Sequence, residues 1–326
     1  MQQANHPASR PTVLVIGAGA IGSFYGGNLA RAGARVSVVA RSDYHVVREQ
    51  GIAIHSPQGD FHFIPEHVLR EAGEYPGSPD FILVATKVLP EQLTAGLIRP
   101  AVGSSTCILL IQNGIEIEAP LVQAFPANEI LRSLAFIAVS RTAPGTVRHY
   151  DYGKLTIGRY PAGPSPRAAT LGRLFESVGI PCLVTEDIVT ACWQKLVWNA
   201  PFNPISVLAG GADTQTMLAH EETSRLIPLV MKEVCDTAAA VGCALPPSII
   251  DQNIESTKVI APYKTSMLLD FEARRPMEVE AILGNAVRAA RRVGIPVPHM
   301  ETLYALLQLL DRRNRSGEDS HFEVSP

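Results

Sequence analysis

The residues with the clearest chemical potential lie in the stretch WQKLVWN, residues 193–199. Lys195 and Asn199 are four residues apart, so they share one face of a predicted helix. An ammonium group among apolar neighbours is a candidate general acid, because partial burial lowers the pKa of lysine toward neutrality. The alternative is a lysine whose stem covers apolar surface while its ammonium group reaches water. The spacing alone leaves both interpretations open.

A second asparagine extends this pattern less securely. Asn203 comes four residues after Asn199, but Pro201 and Pro204 flank it. Proline removes a helical hydrogen bond and disfavours helical geometry in the residue before it. We therefore expect the helix to bend or end near Ala200.

A hydroxyl and a carboxylate follow in the sequence at Ser266 and Glu278. On one straight helix this separation spans about 18 Å, which is too far for both to contact a small substrate. Pro276 lies between them, so we expect the chain to break there and Glu278 to start a new helix. A glutamate in a first helical turn is also stabilised by the helix dipole without any role in a site.

A glycine-rich turn near the start of the chain has the pattern of a dinucleotide site. Its residues are Gly17, Ala18, Gly19, Ala20, Ile21 and Gly22. Gly17 permits the tight turn, Gly19 lets the backbone approach a pyrophosphate, and Gly22 lets the helix pack closely on the strand. The helix that follows offers unpaired N–H groups to phosphate oxygens. The alternative is a glycine turn that binds no ligand.

The end of the second predicted strand indicates which dinucleotide. NAD enzymes usually place an acidic residue there for the ribose 2′-hydroxyl. Here Arg41 and Ser42 follow the strand, and a cation with a hydroxyl suits the 2′-phosphate of NADP(H). Asp43 would favour NAD if the loop turned back, and Arg41 could instead be a solvated loop residue.

The pattern of elements predicts an α/β fold with an N-terminal Rossmann-type doubly wound sheet, followed by an all-helical C-terminal domain. Strands are expected at residues 13–16, 35–40, 52–55, 61–64, 81–86, 107–112, 131–140, 147–158 and 182–185. Helices are expected at residues 23–32, 90–97, 167–178, 188–199, 221–241, 248–259, 277–293 and 300–311. We predict an NADP-binding domain over residues 1–186 and a helical substrate domain over residues 187–326.

Composition excludes several classes of function. The chain has 326 residues and a net charge of −3, which gives no basic surface for nucleic acid. Residues 13–30 carry no charge, but five of them are glycine, so we expect no membrane span and no membrane partner. Five cysteines without a CxxC pair predict reduced thiols and a cytoplasmic location, with no metal site. The polar residues from 312 onward are expected to be disordered.

Taken together, these stretches resemble the ketopantoate reductase (2-dehydropantoate 2-reductase) family over about residues 12–310. The motifs that carry the resemblance are GAGAIG at 17–22, Arg41, Thr86-Lys87, Gln112-Asn113-Gly114, WxKLxxNxxxN at 193–203, Thr265-Ser266-Met267, and Glu278. The resemblance implies NADPH-dependent reduction of ketopantoate to pantoate, a step of pantothenate (vitamin B5 and coenzyme A) biosynthesis.

The resemblance also implies roles for individual residues. Lys195 is the general acid. Asn199, Asn203 and Ser266 hold the substrate, and Glu278 accepts a hydrogen bond from its hydroxyl. Two further residues lie near the nicotinamide, Lys87 and Asn113, with Asn113 also contacting the substrate. Arg41 contacts the 2′-phosphate.

Three positions depart from the family pattern. Leu283 and Tyr263 stand where the family often has asparagine, and Asp213 occupies a region where another asparagine is typical. These departures leave open a second hypothesis, the reduction of another small 2-keto acid. A non-catalytic NADP-binding redox sensor and a 3-hydroxyacid dehydrogenase of the hydroxyisobutyrate type are further alternatives. Apolar faces of the helical half could support a homodimer.

Overall fold

The structure is a computed structural model that describes residues 10–316, and the chain divides into two compact units. The first comprises the described part of Met1–Lys87 with Leu93–Gln112 and Glu118–Ile188. The second comprises Val88–Gln92, Asn113–Ile117 and the described part of Val189–Pro326. Two short segments from the N-terminal half of the chain therefore belong to the second unit.

The first unit is built on a ten-stranded sheet. Its strands are β1 Thr12–Ile16, β2 Arg35–Val39, β3 Ile52–His55, β4 Phe61–Phe63, β5 Val68–Leu69, β6 Phe81–Val84, β7 Cys107–Leu110, β8 Ile130–Ala143, β9 Thr146–Arg159 and β10 Cys182–Thr185. The order is β4-β3-β9-β8-β7-β6-β1-β2-β5, and β10 pairs with β9. From β8 to β5 all neighbours are parallel, whereas β8 with β9 and β3 with β4 are antiparallel.

The central strands β6 and β7 are short, continuous apolar runs. β6 reads FILV and β7 reads CILL, and every residue of both is buried. Strands buried on both faces need this composition, which is typical of parallel sheets covered by helices. The helices of this unit are α1 Ala20–Arg31, α2 Tyr44–Gln50, α3 Thr94–Ile98, α4 Ala119–Ala124 and α5 Pro166–Ser177. The predicted Rossmann-type sheet is thereby confirmed.

The second unit is helical, and within residues 10–316 every strand belongs to the first unit. Its helices are α6 Ile188–Leu208, α7 Thr214–Ala219, α8 Glu221–Ala240, α9 Ile249–Val259, α10 Ser266–Glu272, α11 Asn285–Val293 and α12 Pro298–Ser316. A turn of π-helix, Glu280–Gly284, leads into α11. The predicted helical C-terminal half is confirmed.

Of the two alternatives expected for α6, a bend or an end near Ala200, the end is wrong. The helix continues to Leu208 with Pro201 and Pro204 inside it. Each proline removes one backbone donor, but Phe202 and its apolar neighbours in this turn are buried. Packing of that apolar surface offsets the lost hydrogen bonds, so the chain stays helical.

Other predicted boundaries also need correction. The helix predicted at 90–97 is shorter than expected and comprises only α3, Thr94–Ile98. The residues before α3 form a turn, in which the backbone N–H of Gln92 donates to the carbonyl oxygen of Leu89. The helix predicted at 277–293 begins at residue 279 and contains the π turn. Residues 312–316 were expected to be disordered but extend α12, where Arg315 pairs with Asp311 at 2.7 Å. The rest of that predicted disordered tail lies outside the described residues.

No helix in the described part of the chain combines the length and apolarity needed to cross a bilayer. The uncharged stretch at 13–30 is divided between β1, the glycine turn and α1.

Candidate active site

The glycine turn has the geometry that its sequence predicts. Gly17 has φ +98°, and a Cβ there would lie 2.9 Å from a side-chain methyl of Thr86. A Cβ at Gly22 would lie 2.1 Å from the carbonyl oxygen of Gly17. At Gly19 a Cβ would meet nothing within 4 Å, so space is open at the N-terminus of α1. The turn can therefore admit a pyrophosphate against the helix N–H groups.

The end of β2 favours a 2′-phosphate over a 2′-hydroxyl. Arg41 and Ser42 are exposed, whereas Asp43 is buried. The Asp43 carboxylate accepts hydrogen bonds from Arg141 at 2.5 Å and from the backbone N–H of Gly145 at 3.1 Å. Because this carboxylate is bound inside the unit, the loop does not present it to a ribose. The hypothesis that Asp43 favours NAD loses its geometric basis.

The strand ends beside the glycine turn are joined by an amide. Gln112 follows β7 and donates from Nε2 to the carbonyl oxygen of Thr86 at 2.7 Å, and to its hydroxyl at 3.3 Å. Thr86 follows β6, the neighbour of both β7 and β1. Lys87 is the next residue after Thr86, so these hydrogen bonds fix the backbone position from which Lys87 extends.

In the second unit, three residues far apart in sequence form one hydrogen-bonded chain. Lys195 donates from Nζ to Asn113 Oδ1 at 3.1 Å. Asn113 donates from Nδ2 to Glu278 Oε2 at 3.2 Å. The other carboxylate oxygen of Glu278 accepts the backbone N–H of Val88 at 3.1 Å. An ammonium and a carboxylate are thus connected through one amide.

This chain determines the orientation of the amide. An ionised carboxylate can only accept, and an ammonium can only donate. Asn113 must therefore turn its NH₂ group toward Glu278 and its oxygen toward Lys195. The ammonium of Lys195 is partly buried on α6, and hydrogen bonds to a charged group are the stronger kind. The arrangement holds a positive charge at a defined place.

The segment that carries Asn113 is anchored by the π turn. Ile115 donates its backbone N–H to the carbonyl oxygen of Ala281 at 3.1 Å, and its own carbonyl accepts from Asn285 Nδ2 at 2.6 Å. Gly114 has φ +96°, and a Cβ there would lie 2.3 Å from the oxygen of Ala281. Glycine is therefore required next to Asn113 for this close approach.

The remaining predicted residues lie along α6 and at the start of α10. Asn199 and Asn203 follow Lys195 by one and two turns, and both are buried. Within the described residues, Asn203 Oδ1 is a buried acceptor without a hydrogen-bond partner. One turn further, the Ser206 hydroxyl lies 2.7 Å from that of Thr265, which caps α10. This contact places Thr265 against α6, and the next residue, Ser266, is exposed.

The three departures have structural explanations. Leu283 is fully buried in the π turn, so its apolar side chain belongs to the core. Tyr263 packs near Trp198, with ring centroids 6.4 Å apart. Asp213 caps α7 by accepting the N–H of Thr216 at 2.7 Å, and this backbone hydrogen bond lowers the pKa of Asp213.

Sequence reasoning missed three features of the site: the backbone donor of Val88, the close approach at Gly114, and the π turn. The Asn113-Gly114 pair after a buried strand is a turn signal that predicts a positive φ at the glycine. Nothing in the sequence predicts which carbonyl that glycine approaches.

Comparisons with known proteins find one family over most of the chain. The family described as "Ketopantoate reductase PanE/ApbA" matches residues 13–162, and its C-terminal family matches residues 187–311. A 2-dehydropantoate 2-reductase of Nostoc sp. is 34% identical over 93% of this chain and 96% of its own. An uncharacterized oxidoreductase of Bacillus subtilis is 26% identical over 91% of this chain and 98% of its own.

Solved structures give the same result. The crystal structure of 2-dehydropantoate 2-reductase from Methylococcus capsulatus has a TM-score of 0.88 and 51% identity, covering 93% of this chain and 97% of that one. That from Geobacter metallireducens has a TM-score of 0.86 and 33% identity, covering 91% and 99%. A D-mandelate dehydrogenase structure, at 19% identity and a TM-score of 0.85, shares the fold over 93% of this chain and 99% of its own.

A Rossmann-type sheet with a glycine turn, joined to a helical half that bears a lysine, defines an oxidoreductase of the two-unit dehydrogenase class. Within that class, the chain belongs to the ketopantoate reductase family, as its motifs predict. Members of this family are oxidoreductases that use NADPH.

Replacing Gly114 by alanine should disrupt the site. Alanine at a positive φ costs about 1–3 kcal/mol, and its Cβ would also collide with the carbonyl of Ala281. We expect a lower midpoint of thermal unfolding and a lower kcat, since Asn113 would be displaced.

The matched control is Gly96→Ala, in α3, where a Cβ meets nothing within 4 Å. That variant should be neutral or more stable by up to about 1 kcal/mol, because alanine favours helix. If both alanine variants unfold at the wild-type temperature, the close approach at Gly114 is refuted.

Proposed function

We propose that this protein reduces 2-dehydropantoate (ketopantoate) to pantoate with NADPH, in pantothenate biosynthesis. The observation that carries the proposal is the hydrogen-bonded chain from Lys195 through Asn113 to Glu278. It holds an ammonium group where a carbonyl oxygen could be protonated, and a carboxylate where a substrate hydroxyl could be bound. The names of the relatives agree with this reaction.

NADPH is the proposed reductant, and residues 1–186 are its proposed domain. The turn from Gly17 to Gly22 would hold the pyrophosphate, with Ala18, Ala20 and Ile21 supplying backbone. Arg41 would contact the 2′-phosphate, and Lys87 would lie near the nicotinamide. When bound, NADPH supplies a hydride to the substrate carbonyl carbon. The support is the open space at Gly19 together with the bound carboxylate of Asp43.

Lys195 is proposed as the general acid, in a helical substrate domain over residues 187–326. Hydride addition places negative charge on the carbonyl oxygen. A positively charged ammonium stabilises that charge and then donates the proton. Asn113 accepts one N–H of the ammonium, so the group keeps its direction while it acts. Fixed donors of this kind need no reorganisation during the reaction.

Substrate binding is proposed for Asn199, Asn203, Ser266, Asn113 and Glu278. A buried oxygen without a donor is costly, and Asn203 Oδ1 is such an oxygen in the described part of the chain. A substrate hydroxyl would remove that cost. Carboxylate oxygens have two lone pairs, so Glu278 can accept a substrate hydroxyl in addition to its present donors.

Reduction of another small 2-keto acid is the second candidate. Leu283 and Tyr263 stand where the family often has asparagine, so this chain offers a substrate fewer amides. A substrate with fewer hydroxyl groups would then suit this chain better than ketopantoate.

Cellular location and assembly are proposed on separate grounds. All five cysteines are free thiols, which fits a reducing cytoplasm. A homodimer would cover Leu306 and Leu309, two exposed leucines on α12.

Turnover should distinguish ketopantoate from 2-oxoisovalerate, which lacks only its hydroxymethyl group. The measurement is the oxidation of NADPH by the purified protein, followed by absorbance. Pyruvate and a reaction without keto acid serve as controls. We expect kcat/KM about 10–100-fold higher for ketopantoate, because the other substrate leaves buried acceptors without a donor. Equal rates, or faster turnover of 2-oxoisovalerate, would overturn the ketopantoate assignment.

Replacing Lys195 by alanine should lower kcat by at least about two decades, the range for losing a general acid. The affinity for NADPH, measured by fluorescence titration, should change little, because Lys195 is not among the residues proposed to bind it. The control is Lys258→Ala, which removes an exposed lysine paired with Glu255. A near-normal kcat for the Lys195 variant would remove that residue from the role.

A further inference from the structure

Two arginines, Arg41 and Arg70, follow the neighbouring strands β2 and β5 at the same edge of the sheet. The neighbouring strands β2 and β5 are parallel, with Val39 opposite Leu69. The backbone N–H of Ala40 then donates to the carbonyl oxygen of Leu69 at 2.9 Å. Because the next residues are Arg41 and Arg70, two guanidinium groups follow adjacent strands at one edge of the sheet.

The side chain of Arg70 rests on the turn that carries Arg41. Its guanidinium carbon lies 4.0 Å from the ring centroid of Tyr44, and Nη2 lies 3.3 Å from His45 Nε2. Tyr44 is buried, and its backbone N–H donates to the carbonyl oxygen of Arg41 at 3.3 Å. The nearby Glu74 carboxylate accepts the backbone N–H of Arg70 at 2.8 Å. A fixed ring therefore holds Arg70 beside the turn.

Positive charge at this edge is not neutralised by ion pairs. Among residues 10–316, the exposed side chains of Arg41, Arg48 and Arg70 form no ion pair with a carboxylate. Arg141, which also approaches this turn, differs because Asp43 binds it. Several uncompensated cations at one strand end form an anion site.

We propose that Arg70 is a second ligand of the cofactor 2′-phosphate and a specificity-determining residue for NADPH over NADH. This inference rests on the proposed function. A dianionic phosphate offers three acceptor oxygens, which is more than the guanidinium of Arg41 engages in one bidentate contact. Arg70 supplies the second set of donors, and Tyr44 keeps it in place before the ligand arrives.

Two other roles for Arg70 predict different results. If its guanidinium only stacked on the adenine ring, its loss would weaken NADP⁺ and NAD⁺ binding equally. If it were only a solvated arginine resting on Tyr44, its loss would affect neither dinucleotide.

The test is isothermal titration calorimetry of Arg70→Ala with NADP⁺, NAD⁺ and 2′,5′-ADP. The matched control is Arg99→Ala, which removes another exposed arginine that rests on an aromatic ring, that of Phe125 at 5.1 Å. Arg41→Ala and the Arg41→Ala/Arg70→Ala double variant complete the set.

We expect Arg70→Ala to weaken binding of NADP⁺ and 2′,5′-ADP by about tenfold or more, as for one lost charge-assisted hydrogen bond. Binding of NAD⁺ should hardly change, and the double variant should bind NADP⁺ no better than NAD⁺. Arg99→Ala should match the wild type.

Equal weakening of NADP⁺ and NAD⁺, or an Arg70 variant that behaves like the Arg99 control, would overturn the inference. Both results presuppose that the wild-type protein binds NADP⁺. A wild-type protein that bound neither dinucleotide would instead refute the proposed function, so the two failures are distinguishable.

Discussion

The amide of Asn113 connects a cation to an anion, and the site in the helical unit depends on that connection. Lys195 and Glu278 each bond a different end of that same side chain. An ammonium can only donate and an ionised carboxylate can only accept, so the two charged groups together fix the orientation of the amide.

That amide can be placed accurately because its backbone is not a loose loop. Asn113–Ile117 is part of the helical unit although it lies in the N-terminal half of the chain. The π turn helps to hold it, since Ala281 lies in that turn and its carbonyl oxygen accepts the backbone N–H of Ile115. Single π turns often occur at functional sites. Here the irregularity has a use, because it anchors the segment that aims the amide.

The sequence predicts the fold well where local hydrophobic pattern and residue preference determine the element. The buried strands β6 and β7 are continuous apolar runs, and β10 begins and ends where expected. The prediction fails where tertiary packing outweighs local preference, as in α6, which passes through two prolines. It also fails at the C-terminal end of α12, where a polar stretch stays helical and Arg315 pairs with Asp311.

The site could be predicted only in part, for a different reason. Lys195 and Glu278 are candidates from their local sequence and Asn113 from the family resemblance, but Asn113 is separated from the other two by 82 and 165 residues. No rule based on sequence spacing applies over such separations. The three residues could therefore be proposed from the sequence, but the hydrogen bonds that connect them could not. Likewise, Arg70 belongs to no motif that the sequence analysis identified. Only the pairing of β5 with β2 places it next to Arg41.

A double-mutant cycle on kcat measures whether Asn113 transmits the effect of Glu278 to Lys195. In Glu278→Gln the single remaining oxygen is needed by the fixed backbone N–H of Val88, so the new NH₂ group faces Asn113. The Asn113 amide should then reverse and turn a donor toward Lys195. We expect a large loss of kcat for Glu278→Gln in the wild-type background and a much smaller further loss in the Asn113→Ala background. Equal losses in both backgrounds would show that Glu278 and Asn113 act independently, and would refute this coupling.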